Sequence, residues 1–285
     1  MKKNLVFKPL IFIILSIVIG AFVDAATKFY STDLSLTNVT FSMEFGLLFG
    51  SILFLLKIKK NDFSIKIKPT FCLYIFFKLI ITILFIYILS VVNLFEFRVL
   101  FILSEIFLIF FGVFFLHEKF NQCKIIGTIT TIIGSIIIFS GEIPTNNLVQ
   151  IFILYLVLNA LNVFLIKKII TYNSKEIVFF IGTSATTIFY CLYGLFVGDF
   201  NFYYIIFFIG FVRAIPRWLS FAALECGSLT FIAPLGYFEI IVSGVLGYVV
   251  FDTLPTVKAI IGALIILAGI FYVVYGEKKI SELSP

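Results

Sequence analysis

Uncharged apolar stretches, each about the length of a bilayer-spanning helix, follow one another along nearly the whole chain. Residues 125–141, 177–198 and 259–276 carry no charge, and none alternates apolar with polar as a membrane barrel strand does. Lipid cannot hydrogen-bond the backbone, so segments of this kind must be helices that close their own hydrogen bonds. Reading for spans of about 20 predominantly apolar residues gives ten: 9–29, 36–56, 70–92, 95–116, 124–141, 148–167, 175–198, 203–225, 229–251 and 256–276. The expected fold is an all-α polytopic membrane protein with ten transmembrane helices and short links. Composition agrees: charged residues are 13% of the chain, against about 25% in soluble domains. Mean hydropathy is +1.19. The start, Met1-Lys2-Lys3 before an apolar stretch, reads as a retained first helix, because no cleavage site interrupts the segment before Asp24.

Orientation follows from the basic residues. With the N-terminus inside, the inner segments hold Lys2, Lys3, Lys8, Lys57, Lys59, Lys60, Lys66, Lys68, Lys119, Lys124, Lys167, Lys168, Lys175, Lys278 and Lys279, which is 15 of 21. The outer side holds three: Lys28, Arg98 and Lys258. Excess Lys and Arg marks the cytoplasmic side, so both termini are expected there, in a bacterial cytoplasmic membrane. The same asymmetry accounts for the net charge of +6 without nucleic acid as a partner. The 57–68 loop reads as a topology anchor on anionic membrane lipids.

A shift of 135 residues superposes the two halves. Gly112, Gly127, Gly134 and Gly141 land on Gly247, Gly262, Gly269 and Gly276. Pro9 lands on Pro144, Glu142 on Glu277, and Lys78 on Arg213. The sevenfold glycine spacing sets each series along one helix face and permits close helix approach. Five spans per half is an odd number, so the second half, 143–285, is expected to enter the membrane opposite to the first, 1–142. Such inverted repeats place a binding site near mid-depth, between the halves.

Six ionisable residues fall at membrane depth: Glu44, Lys78, Glu105, Arg213, Arg217 and Glu239. Each costs roughly 2.5–3.5 kcal/mol to insert, and residues that costly usually face a bundle interior or a watery path. Arg213 and Arg217 are four apart and share a helix face. Pro216 between them removes a backbone donor and frees a carbonyl nearby. Guanidinium groups bind carboxylates bidentately, so this face suits the acidic end of an amino or organic acid. The competing reading pairs one arginine with Glu239. Lys78 and Glu105 stand in the same relation in the first half, as solute ligands or as an ion pair. Glu105 and Glu239 are also candidates to hold a solute amine or to carry a coupling proton. Asp24 and Lys28, four apart, read as a local ion pair or a gate, and Glu44 needs a buried partner. Asn159, Asn162 and Trp218 are further solute-binding candidates, with interhelical packing as the alternative for each. Glu118 and Glu225 lie near helix ends; the first reads as structural and the second as solvated.

Phe115-Leu116-His117-Glu118, followed by Gly127 and Gly134, resembles the end of an EamA repeat of the drug/metabolite transporter superfamily. The resemblance covers nearly the whole chain as two repeats. It implies a ten-helix carrier of amino acids, other metabolites or drugs, with a central cavity lined by segments 1, 3, 4, 6, 8 and 9. Glu44, on segment 2, would then lie outside that lining. The second repeat departs from the motif: it reads Phe251-Asp252-Thr253-Leu254, without a glutamate. Glu105 and Ile240 stand where the family often has proline, and Pro234 comes earlier.

Zinc proteolysis is excluded, because His117 is the only histidine and the His117-Glu118-Lys119-Phe120-Asn121 stretch ends in asparagine. The sequence holds no phosphate-binding loop and no nucleophile elbow. The four cysteines have no metal or redox spacing. The reading is a carrier, not an enzyme, with no cofactor or metal, taking a small polar metabolite; proton coupling through Glu105 or Glu239 and facilitated diffusion are the two readings of what drives it. A multidrug, cation or nucleotide-type carrier, a channel and a non-transporting receptor are the alternatives.

Overall fold

The computed structural model describes residues 4–31, 34–56, 58, 65–91, 101–138, 146–197, 201–251 and 256–283. Their regular elements are α1 Asn4–Ser31, α2 Leu36–Leu55, α3 Pro69–Val91, α4 Ile102–Leu116, α5 Gln122–Ile138, α6 Asn146–Ile169, α7 Lys175–Val197, α8 Tyr204–Cys226, α9 Leu229–Gly236, α10 Phe238–Phe251 and α11 Val257–Leu283. Among the described residues, eight spans are long and apolar enough to cross a membrane, with α9 and most of α10 counted together as Leu229–Val250. Ser104–Leu116 and Gln122–Ile138 are apolar but shorter. The protein is an all-α polytopic membrane protein. Lys2, Lys3, Lys57, Lys59, Lys60, Arg98, Gly141, Glu142, Pro144 and residues 252–254, all used in reading the sequence, lie outside the described residues.

Large apolar side chains point outward along the bundle: Phe196 is 91% exposed and Phe271 72%. In water that pattern would drive aggregation; in lipid it is the favoured surface. Inside, apolar side chains form two main clusters. One gathers Ala21 of α1, Met43 of α2, Phe85 and Leu89 of α3, Phe152 of α6 and Ile209 of α8. The other gathers Val6, Leu47, Phe71, Ile169, Phe221 and Val273. The start of α1 therefore packs in one cluster with the end of α6 and the C-terminal half of α11. The buried polar side chains used below lie between these clusters.

Glycines allow the closest helix contacts. A Cβ on Gly127 would sit 2.7 Å from the Gly269 carbonyl, and one on Gly134 would sit 2.8 Å from that of Gly262. Register runs oppositely along the two chains, so α5 and α11 are antiparallel. Gly46 and Gly50 seat α2 against α8 in the same manner.

One predicted span, 229–251, is broken at Tyr237, between α9 and α10. Pro234 lacks the N–H that would continue the ladder. Gly236 leaves room for the Glu105 carboxylate, whose Oε1 lies 2.6 Å from where a Cβ would be.

Candidate functional site

Helix α8 presents Arg213 and Arg217 one turn apart and remains continuous through Pro216. The carbonyl of Pro216 accepts a hydrogen bond from Ser16 Oγ of α1 at 2.7 Å, and Ser16 and Ser220 hydroxyls are 2.7 Å apart. The proline thus sits in a polar seam between α1 and α8, the place where lipid could not satisfy its backbone.

Two cavities meet at the arginines of α8, and the larger one reaches the seam. The larger, about 200 Å³, is bordered by Asp24, Glu105, Asn159, Arg213, Arg217 and Glu239 among its polar residues. The smaller, about 60 Å³, is bordered by Glu44, Tyr74, Lys78, Asn162, Arg213 and Arg217. Phe85, Tyr155, Asn159, Arg213 and Arg217 line both.

The two arginines differ in what holds them. Arg213 Nη2 lies 2.7 Å from Asp24 Oδ1, and both residues are buried. The contact is ionic rather than an aligned hydrogen bond, since Oδ1 accepts none. The Arg213 guanidinium also lies 4.6 Å from the centre of the Phe85 ring and contacts the Met43 sulfur. Arg217, by contrast, has no ion pair and no hydrogen bond among the described residues, and its surface is accessible within the cavities.

Lys78 and Glu44 form the second charge pair, Nζ to Oε2 at 3.5 Å. Thr186 of α7 bridges them: its hydroxyl lies 2.5 Å from Glu44 Oε2 and 3.2 Å from Lys78 Nζ. Thr187 Oγ1 donates to the Glu44 backbone carbonyl at 3.0 Å.

Several sequence expectations are corrected. Lys78 pairs with Glu44 rather than Glu105, because α2 packs on α3 while Glu105 turns toward the α9–α10 break. Glu44 lines the smaller cavity instead of lying outside it. Asp24 closes on Arg213 rather than on Lys28, whose Nζ donates to the Leu89 carbonyl at 3.2 Å. Trp218 lines neither cavity; it stacks on Phe54 with ring centres 5.0 Å apart. Glu225 is exposed, as expected of a solvated carboxylate, and also pairs with Lys175 at 2.8 Å. Glu105 and Glu239 border the larger cavity, and Glu239 lies within electrostatic reach of Arg213. Asn159 donates to Ser104 Oγ at 3.1 Å, and Asn162 to the Tyr74 carbonyl at 3.0 Å, so both also tie helices together.

Ser16, Ser220, Phe85, Tyr155 and Thr186 escaped the sequence reading. Only Thr186 gave a signal, as part of the small polar stretch 182–187 inside an apolar helix. Glu118 has a clear structural task. His117 ends α4 in the left-handed conformation, φ 52°. The next side chain accepts hydrogen bonds from the Leu229 and Thr230 amides, both at 2.8 Å. A carboxylate there satisfies orphan donors and opposes the helix dipole at the start of α9.

No protein-family profile matches the chain, and no curated protein does. Solved structures do. One, described only as the crystal structure of a protein, aligns over 93% of this chain and 96% of its own, with TM-score 0.73 and 13% identity. At that identity the likeness shows the fold alone.

Proposed function

We propose that this chain is a secondary carrier for a small metabolite bearing a carboxylate, with amino acids the leading class, and that Arg217 holds the carboxylate. The observation that carries the reading is Arg217 itself: a guanidinium at membrane depth, bordering two cavities, with no internal partner among the described residues. A charge at that depth costs roughly 2.5–3.5 kcal/mol; Glu44 acts on it only at longer range, and a solute carboxylate at contact distance would offset that cost. Glu105 and Glu239 border the same cavity and suit a solute amine. A cavity of about 200 Å³ is small beside the roughly 300–1,000 Å³ of drug-sized sites, which favours a metabolite over a bulky drug.

The carrier reading extends to architecture. We take the halves to be EamA-like inverted repeats forming ten crossings, with α4 and α5 as the two short ones. Support comes from the 135-residue shift and from the reciprocal glycine contacts. Gly127 meets Gly269 and Gly134 meets Gly262, so each contact maps onto the other when the halves exchange. Lys167 and Lys175 lie at the ends of α6 and α7 near the start of α1, in keeping with a lysine-rich cytoplasmic face bearing both termini. A membrane-impermeant thiol reagent should label a cysteine introduced at Asn146 from outside and one at Ser64 from inside; the reverse pattern overturns this orientation.

The functional test is uptake into proteoliposomes from a panel of amino acids, organic acids, nucleosides and cationic drugs. A carboxylate-bearing solute should show saturable flux. Arg217→Gln should raise its KM by roughly tenfold or more while leaving thermal stability close to that of the parent, since no internal partner is lost. Flux of lipophilic cations alone, unaffected by Arg217→Gln, rejects the proposal.

A further inference from the structure

Glu44 is a membrane-depth carboxylate that the solute reading leaves unused. It is 3% exposed and lines the smaller cavity, which Arg217 also lines. We propose that Glu44 is the proton-binding site that couples solute movement to the proton gradient, in place of Glu105 or Glu239; this rests on the carrier reading above.

The geometry at Thr186 suits a carboxyl group that changes protonation state. The Thr186 hydroxyl lies 2.5 Å from Glu44 Oε2 and within reach of the Thr183 and Gly182 carbonyls, at 2.9 and 3.1 Å. When Glu44 is ionised, that hydroxyl donates to the carboxylate. When Glu44 is protonated, the carboxylic acid donates to Thr186 Oγ1, and the threonine proton turns to Thr183 or Gly182. Both states are hydrogen-bonded without any helix moving, so neither leaves an unsatisfied buried group.

The surrounding charges supply the coupling. α2 packs on α3, α7 and α8. The titratable and charged groups that face Glu44 from them are Lys78 and Tyr74, Tyr190, and Arg213 and Arg217. Asp24 compensates Arg213. Glu44 therefore serves Lys78 directly and Arg217 at longer range. A solute carboxylate arriving at Arg217 brings a second negative charge to this group and favours the neutral acid on Glu44. Lys78 then turns its charge to the solute. The smaller cavity, about 60 Å³, has room for several waters to deliver the proton. As the solute enters, a hydronium O–H bond breaks and an O–H bond forms on Glu44, leaving water; as the solute leaves, the Glu44 O–H bond breaks and the proton returns to water on the other side. Linkage requires the converse: mild acid must tighten solute binding.

The test uses the full chain in proteoliposomes with radiolabelled glycine, L-alanine, L-glutamate and succinate as probes. Saturable counterflow of at least one probe in the parent protein establishes the carrier; its absence for all four sinks the carrier reading itself. Given counterflow, Glu44→Gln should keep that exchange and lose accumulation under an imposed pH gradient. Its probe affinity should also lose a pH dependence of about fivefold or more seen in the parent. Accumulation that survives in Glu44→Gln but disappears in Glu105→Gln or Glu239→Gln overturns the proposal. Should Glu44→Gln fail to fold, two further measurements decide. Thr186→Val keeps both charges and should move the pH midpoint of accumulation, whereas an unmoved midpoint counts against Glu44. Infrared difference spectra of the parent on probe addition should show a protonated carboxyl band; a band that persists unchanged in Thr186→Val assigns the proton elsewhere.

Discussion

The α5–α11 seam and the charged layer treat the two halves of the chain in opposite ways. At the seam the halves are interchangeable: Gly127 faces Gly269 and Gly134 faces Gly262, each pair with nearly the same clearance. In the charged layer they diverge. Lys78 and Arg213 are equivalent by the 135-residue shift, yet Arg213 takes its acid from α1 and Lys78 takes its acid from α2. The position equivalent to Asp24 is Asn159, whose neutral amide bonds Ser104 instead. One base is clamped at 2.7 Å with an aromatic ring against it; the other is held loosely at 3.5 Å beside a cavity. Matching contacts thus mark scaffold, and the mismatch falls in the charged layer that borders the two cavities.

The comparison breaks hardest at Asp24. Asp24→Asn leaves Arg213 buried without its counter-charge, and the expected loss of stability is about 3–5 kcal/mol, read from unfolding in detergent. Replacing both partners, Asp24→Asn with Arg213→Met, should recover most of that loss. If the single and double variants are equally unstable, the ion pair is not what Asp24 supplies. The seam comes next. Gly134→Ala and Gly269→Ala each push a methyl onto opposing backbone, which cannot step aside as a flexible side chain would. Each should cost about 1–3 kcal/mol, and the two costs should match. Unequal costs would mean the seam is less alike in the two halves than its distances say. Lys78→Met should cost less than Asp24→Asn, about 1.5 kcal/mol, because Thr186 remains to donate to Glu44.

How much of this was readable beforehand divides along the same line. Apolar run length announces a membrane helix, and glycines seven apart announce a face that packs closely; both are local properties. Arg213 and Arg217 could be placed on one face from their spacing alone. Which acid meets which base could not be read. Asp24 and Arg213 are far apart in sequence, and their contact depends on how α1 and α8 rotate against each other around Ser16 and Pro216. Spacing suggested Asp24 with Lys28, a pairing each helix could make alone, and tertiary packing overrode it. The break at Tyr237 is similar: Pro234 hints at it, but its position depends on Glu105 reaching Gly236 from another helix.

Trp218 offers the smallest expected effect and a clean check on where the solute lies. It adjoins Arg217 in sequence, and an indole beside a guanidinium invites a role in stacking on solute. Its side chain points away from both cavities. It stacks nearly parallel on Phe54, with an interplanar angle of 9°, and takes the Phe12 ring edge-on at 6.4 Å. Lys175 Nζ lies 5.7 Å from its ring centre but also pairs with Glu176 and Glu225, so that ammonium does not depend on the indole. Trp218→Phe keeps an aromatic face toward Phe54 and removes mainly the cation–π contribution, about 0.5–1 kcal/mol. Stability should fall by no more than that, and if the proposed carboxylate transport holds, its KM should stay where it was. A KM that rises as it does in Arg217→Gln would put the indole in the solute path, and the α8 face that receives the solute would then have to be redrawn toward Phe54.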